Sequence, residues 1–296
     1  MAAKTNVVTT SNITIDAREE DFVTRFSDNW QNLQDILGIM RPIRKAPGTK
    51  LVSYKATGTL NGGTAVAEGD EIPLTKLTVE PVSYGDVEIA KYAKSVTIEA
   101  VAKYGAAVAV EKTDDEFLSL LQNKVLSDFY TFLNTGTLAV TATTFQKALA
   151  LAKGAVLNKF GSINKAVTDV VAFANVNDFY GYLGDAAIST QTAFGLTYVK
   201  DFMGYSTIFL LPDNYVASGK VIALPVENID LYYCDPADSD FAKLGLQYTV
   251  QGETNLIGVH VDGDYSRATG DMYAIMGMKL WAEYLDGIAI ATVTAG

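Results

Sequence analysis

The sequence predicts an α+β fold, with strands and helices in separate runs along the chain. Three patterns carry this prediction. Residues 49–92 alternate with the period of two that paired strands require, residues 113–136 bear one apolar stripe at helical spacing, and residues 247–294 finish in extended runs. Between the long helix and the closing strands lies a mixed region of shorter helices and strands.

Residues 1–48 read as an N-terminal arm. Phe22, Phe26, Trp30, Leu33 and Leu37 fall three or four residues apart and form one helical face. Asp16, with Glu19 three residues later, resembles a helix-capping pair. Gly38, Pro42, Pro47 and Gly48 break the segment. Such a helix either packs on its own domain or lies along another subunit, and the sequence leaves both open.

Residues 49–92 form an extended hairpin. Leu51, Ser53, Lys55 and Thr57 alternate with Val52, Tyr54 and Ala56, then a glycine-containing tip at 61–73 leads into a second strand with Leu77, Val79, Val87 and Ile89. Pro81 has no amide hydrogen and belongs at an edge or bulge. A two-stranded ribbon of this length is poorly stable alone and must lie on something.

A short helix around Ile98–Tyr104 prefaces the long one, whose stripe is Phe117, Leu121, Val125, Phe129 and Phe132, widened by Leu118, Leu126 and Leu133. Thr113 and Glu116 have the spacing of a capping box, Asp114 and Asp115 suit a helix N-terminus, and Gly136 ends the helix. Its length is about 30 Å. Phe145, Leu149, Ala152, Val156 and Phe160 mark a further helix stopping at Gly161. The unbroken apolar run 170–174 reads as a buried strand, with Asn175 or Asn177 capping a short helix after it. Strands are expected at 207–211, 221–224 and 229–233.

The chain has 296 residues, a net charge of −11 and 49% hydrophobic residues, enough apolar surface for a substantial core. The charge argues against tight binding of nucleic acid, and no run approaches the ~18 apolar residues of a membrane span. One cysteine, Cys234, excludes an internal disulfide; one histidine, His260, and that single thiol leave no zinc site built from those residues. The acidic loops 235–240 and 261–271 lack calcium-loop spacing. No nucleotide-binding glycine loop or nucleophile elbow occurs, so neither enzyme nor cofactor is expected.

The order of elements resembles the Hong Kong 97 coat-protein fold of tailed phages. AVAEGDEIPLTKLTVEPVSYGDVEIAKYAKSVTIE at 65–99 looks like that family's extension-loop strand entering the peripheral domain, with Glu68-Gly69 at the acidic tip. Residues 116–136 resemble the spine helix, 169–183 the buried strand and helix of the axial domain, and 273–293 the closing strands of the peripheral domain. The resemblance implies an arm at 1–48, an extension hairpin at 49–92, a peripheral domain at 93–139 and 262–296 with the spine helix at 114–135, and an axial domain at 140–261.

It also implies a major capsid protein that assembles in the bacterial host cytoplasm into pentamers and hexamers of a closed virion shell. That shell would enclose double-stranded DNA with weak nonspecific contact. Expected partners are other copies of the chain, a separate scaffolding protein, a portal and decoration proteins; no membrane is expected. Glu68, Asp70 and Glu71 at the hairpin tip are expected to meet Arg41, Arg44 and Lys45 of an adjacent subunit, with Gly62, Gly63 and Gly69 giving the hairpin its flexibility. An encapsulin-type protein compartment and a phage tail structural protein are the alternatives.

Overall fold

The computed structural model of the chain describes residues 17–37, 40–46, 48–61, 66, 69–184, 190–193, 196–226, 228–250 and 255–294. Glu68, Gly62, Gly63 and Asp16 lie outside the described residues.

Two sheets and a separate ribbon organise the strands. The first sheet runs β1 (Met40–Arg44), β11 (Ile229–Cys234), β13 (Thr269–Ala282) and β12 (Ile257–Asp264), with β4 (Ile89–Thr97) also pairing along β13. The second is seven-stranded, in the order β5 (Leu138–Ala142), β14 (Ala289–Val293), β10 (Lys220–Pro225), β6 (Val170–Asn175), β9 (Tyr205–Leu211), β8 (Leu196–Phe202) and β7 (Gln191–Ala193). The ribbon is β2 (Lys50–Gly58) against β3 (Leu77–Asp86).

The apolar run predicted as a buried strand is β6, at the middle of the second sheet, and all six of its residues are buried. Alternation sends Val171 and Phe173 to the face packed by α3 (Lys112–Leu133). Val170, Ala172 and Ala174 face α4 (Phe145–Ser162) and α5 (Val176–Leu183). Both faces of the sheet are therefore covered, as an uninterrupted apolar strand requires. The predicted asparagine cap is Asn175, whose Oδ1 accepts from the Asn177 amide at 2.9 Å.

The N-terminal helix, α1 (Ala17–Leu37), settles the question its sequence left open. Phe22, Val23, Phe26, Trp30 and Leu33 are buried in the same core as α3, β11, β12 and β13. The apolar face of this helix is shielded by its own chain.

Two other expectations are corrected. Thr113 and Glu116 do not open the long helix. A π-helical turn, Ala107–Glu111, runs directly into α3, and the Thr113 hydroxyl lies inside the helix against the Ala109 and Val110 carbonyls. The helical backbone continues upstream because 106–111 holds three alanines and no glycine or proline to stop it.

The division at 261/262 also fails to follow the sheets. β11 and β12 belong with β13, while β14 pairs with β10 and β5 in the second sheet. The turn around Leu285–Gly287 carries the chain from one sheet to the other, and extended sequence alone carries no record of its pairing partner.

Candidate assembly surfaces

The ribbon is an uncovered feature of the described residues. In its register Tyr54 lies opposite Pro81, Ala56 opposite Val79, and Gly58 opposite Leu77. Directly opposed residues share a face, so Val52, Tyr54, Ala56, Leu77, Val79 and Pro81 form one largely apolar face, with Ser83 opposite Val52 at its base. The opposite face carries Thr57, Thr78 and Glu80. A strand pair with one apolar side is built to lie on a surface. Yet Tyr54 is 72% exposed, Leu77 67% and Val79 59%. Among the described elements neither strand packs appreciably on any but the other.

Among the described residues the base of the ribbon is anchored: Leu51 and Val87 are buried with Cys234, and Ile89 and Tyr232 pack around them. Burial raises the Cys234 thiol pKa, with Asp238 adding to the shift, so this thiol is structural. Near the tip the ribbon is held by side chains, the Asn61 amide donating to Thr75 Oγ1 at 3.0 Å. Beyond this, Ile72 and Leu74 are largely exposed, as are Asp70 and Glu71. Gly69 has a φ of +94°, a conformation that favours glycine.

The three cations expected to receive the tip already have partners within the chain. Arg41 Nε sits 2.8 Å from Asp230, with Glu283 at 3.6 Å; Arg44 lies 3.0 Å from Asp235 and 3.7 Å from Asp238. Lys45 stands over the Tyr232 ring at 5.7 Å. Arg41 and Arg44 keep about half their side-chain surface exposed, so a second carboxylate could share them. Their position follows from β1, which pairs in parallel with β11 and places Arg41 beside Asp230.

Residues suspected of chemistry have structural surroundings. His260 lies on β12 with Nδ1 3.4 Å from the buried Glu19, which also accepts from Thr249 Oγ1 at 2.5 Å and from the Val261 amide. Glu19 therefore joins α1 to the first sheet, where the sequence placed it at a helix cap. In the acidic loops, Asp235 and Asp264 accept from the amides of Ala237 and Ser266 at 2.9 and 2.8 Å, closing turns. Among the described residues no three His, Cys, Asp or Glu side chains gather to hold a metal, and no helix is long and apolar enough to cross a membrane.

A second exposed surface escaped the sequence reading. Ten of the thirteen residues at 98–110 are apolar, yet α2 (Ile98–Tyr104) has no buried side chain. The signal was available: an apolar run with only Glu99 and Lys103 to solvate it, too short to form a core of its own.

No protein-family model matches the chain, and no curated protein matches it. Solved structures do. A chain of Gordonia phage Cozz aligns with a TM-score of 0.57 at 10% identity, covering 90% of this chain and 87% of that one. The mature capsid of bacteriophage PhiM1 aligns at 0.54 and 6% identity over 87% and 86%. The SrpI encapsulin complex of Synechococcus elongatus PCC 7942 aligns at 0.51 and 14% identity over 99% and 92%.

The chain has the Hong Kong 97 capsid-protein fold. At these identities the likeness is one of architecture, maintained across nearly the full length of both chains.

Proposed function

We propose that this chain is the major capsid protein of a tailed bacteriophage, acting by self-assembly into pentamers and hexamers of a closed shell around double-stranded DNA. The observation that carries this reading is the ribbon: one apolar face, uncovered, on a chain with the Hong Kong 97 fold. Full burial of a large apolar side chain stabilises by about 1.5–3 kcal/mol, so Tyr54, Leu77 and Val79 together supply a substantial gain on contact with a neighbour. The same contact covers two open strand edges that would otherwise pair indiscriminately.

The acidic tip then fixes register more than affinity. Glu68, Asp70 and Glu71 meet Arg41, Arg44 or Lys45 of the adjacent subunit, sharing cations that Asp230, Asp235 and Glu283 already hold in place. A separate scaffolding protein, a portal, decoration proteins and virion residence after assembly in the host cytoplasm belong to the same reading. A net charge of −11 favours weak contact with the enclosed genome.

Two variants test the two halves of this proposal. Leu77→Asp/Val79→Asp should abolish particles, and reversing Asp70 and Glu71 to lysine should reduce particle yield, while circular dichroism of the subunit is unchanged in both. Wild-type yield from the first variant would overturn the role of the apolar face; wild-type yield from the second would remove the tip contact alone.

The encapsulin likeness favours a second reading, a shell around protein cargo. Nuclease-protected DNA in particles from phage-infected cells supports the first reading. Particles containing only protein support the second.

A further inference from the structure

At the outer end of the ribbon Ile72 and Leu74 are largely exposed beside Asp70 and Glu71. At its base lies a small pocket of about 140 Å³, walled by Leu51, Val52, Tyr232 and Trp281 and edged by Lys45 and Lys50. The two rings stand 6.3 Å apart, and Lys45 lies over Tyr232. Lys279, directly opposite Tyr232 in the first sheet, adds a third cation to the same face. A space of this size holds a benzene-sized group, so one isoleucine or leucine side chain fits. Tip and pocket match in two properties: apolar side chains beside carboxylates, and an apolar floor between lysines.

The ribbon keeps the two apart within one chain. Lys50 pairs with Asp86 at the base and Gly58 with Leu77 at the far end, about 26 Å along the strand. The hydrogen bond between Asn61 and Thr75 carries the pairing beyond Gly58, and Ile72 and Leu74 lie within three residues of Thr75. Neither can return to the pocket of its own chain while the ribbon is paired. A tip that fills the pocket belongs to another copy.

We propose that, within the capsid reading on which this rests, Ile72 or Leu74 of one copy seats between Tyr232 and Trp281 of the next, with Asp70 and Glu71 on Lys45 and Lys50. Arg41 and Arg44, already held by Asp230 and Asp235, then stand outside the contact. Tip and pocket are different surfaces of the chain, so the contact runs head to tail and, repeated, closes a ring.

Particles of Thr49→Cys/Pro73→Cys treated with a short bis-maleimide should give a ladder of linked chains on a denaturing gel, extending past the dimer. The parent protein, whose Cys234 is buried, should give none. A product that stops at the dimer means reciprocal pairing, and particles without a link mean that the tip lies elsewhere; either result overturns the proposal and leaves the capsid reading standing. A parent protein that forms no particles overturns the capsid reading and the proposal with it. Should the cysteine variant not assemble, a charge exchange decides. Lys45→Glu/Lys50→Glu and Asp70→Lys/Glu71→Lys should each lower particle yield about tenfold, and all four changes together should restore it to within about twofold. Absence of restoration overturns the contact.

Discussion

Asp114 joins three elements distant in sequence. Its carboxylate is almost fully buried and accepts from Arg18 of α1 at 2.5 and 2.6 Å and from Lys94 of β4. Burial works against the charged carboxylate, but the hydrogen bonds from Arg18 and Lys94 outweigh it and hold the carboxyl below its usual range. A depressed value means that the contribution is complete above the unfolded-state pKa and disappears as pH falls through the folded-state one. Asp114→Asn should therefore lower the stability of the unassembled subunit at pH 7 by about 3 kcal/mol, the cost of breaking a buried pair from one side. It should also flatten the acid limb of stability against pH. Urea titrations across pH check both; an acid limb as steep as in the parent protein would contradict the assignment. The sequence placed Asp114 at a helix N-terminus because spacing along one helix is all that local pattern reveals. Arg18, 96 positions away, is invisible to it.

Most elements were legible because each rests on a local rule. The buried β6, the stripe of α3, the α4 helix and the short α2 all follow from periodicity, apolar run length and turn residues. Gly136 was read as the helix stop, but α3 ends at Leu133 with Asn134 as its cap, and glycine is needed at 136 for space, since a Cβ there would stand 2.7 Å from Ile288 Cγ2. Pairing did not follow: nothing in 289–293 distinguishes a partner in one sheet from a partner in the other. The starts of α3 and α4 were not legible: the cap at Thr144 was not singled out in the sequence, and the one read at Thr113 is not a cap. Thr144 is an N-cap, its Oγ1 accepting from the Lys147 amide at 3.3 Å, whereas Thr113 is interior. Thr144→Ala should cost about 1 kcal/mol and Thr113→Ala distinctly less, measured by thermal melting of the subunit. Equal losses would contradict the continuous π-to-α run. The packing of α1 on its own body makes a sharper forecast. Phe26→Ala should destabilise the isolated subunit by about 3–5 kcal/mol. An isolated subunit with unaltered stability would mean that the helix is buried only by another copy.

At the scale of the molecule, a well-covered body carries an uncovered appendage. α1, which as an amphipathic arm could have been shielded elsewhere, is instead part of the core. Besides the short α2 surface, that leaves the ribbon with an apolar side that has no partner among the described residues, anchored through Leu51 and Val87 and exposed from Val52 outward. The ribbon's existence was readable from alternation, but its isolation was not, since exposure depends on where every other element lies. A chain of this shape is incomplete alone. Electron cryomicroscopy of the expressed protein tests this directly: closed shells are predicted, with density for the Tyr54–Leu77–Val79 face of each ribbon lying against a neighbouring subunit. Single, unassembled copies with that face folded onto their own body would contradict it.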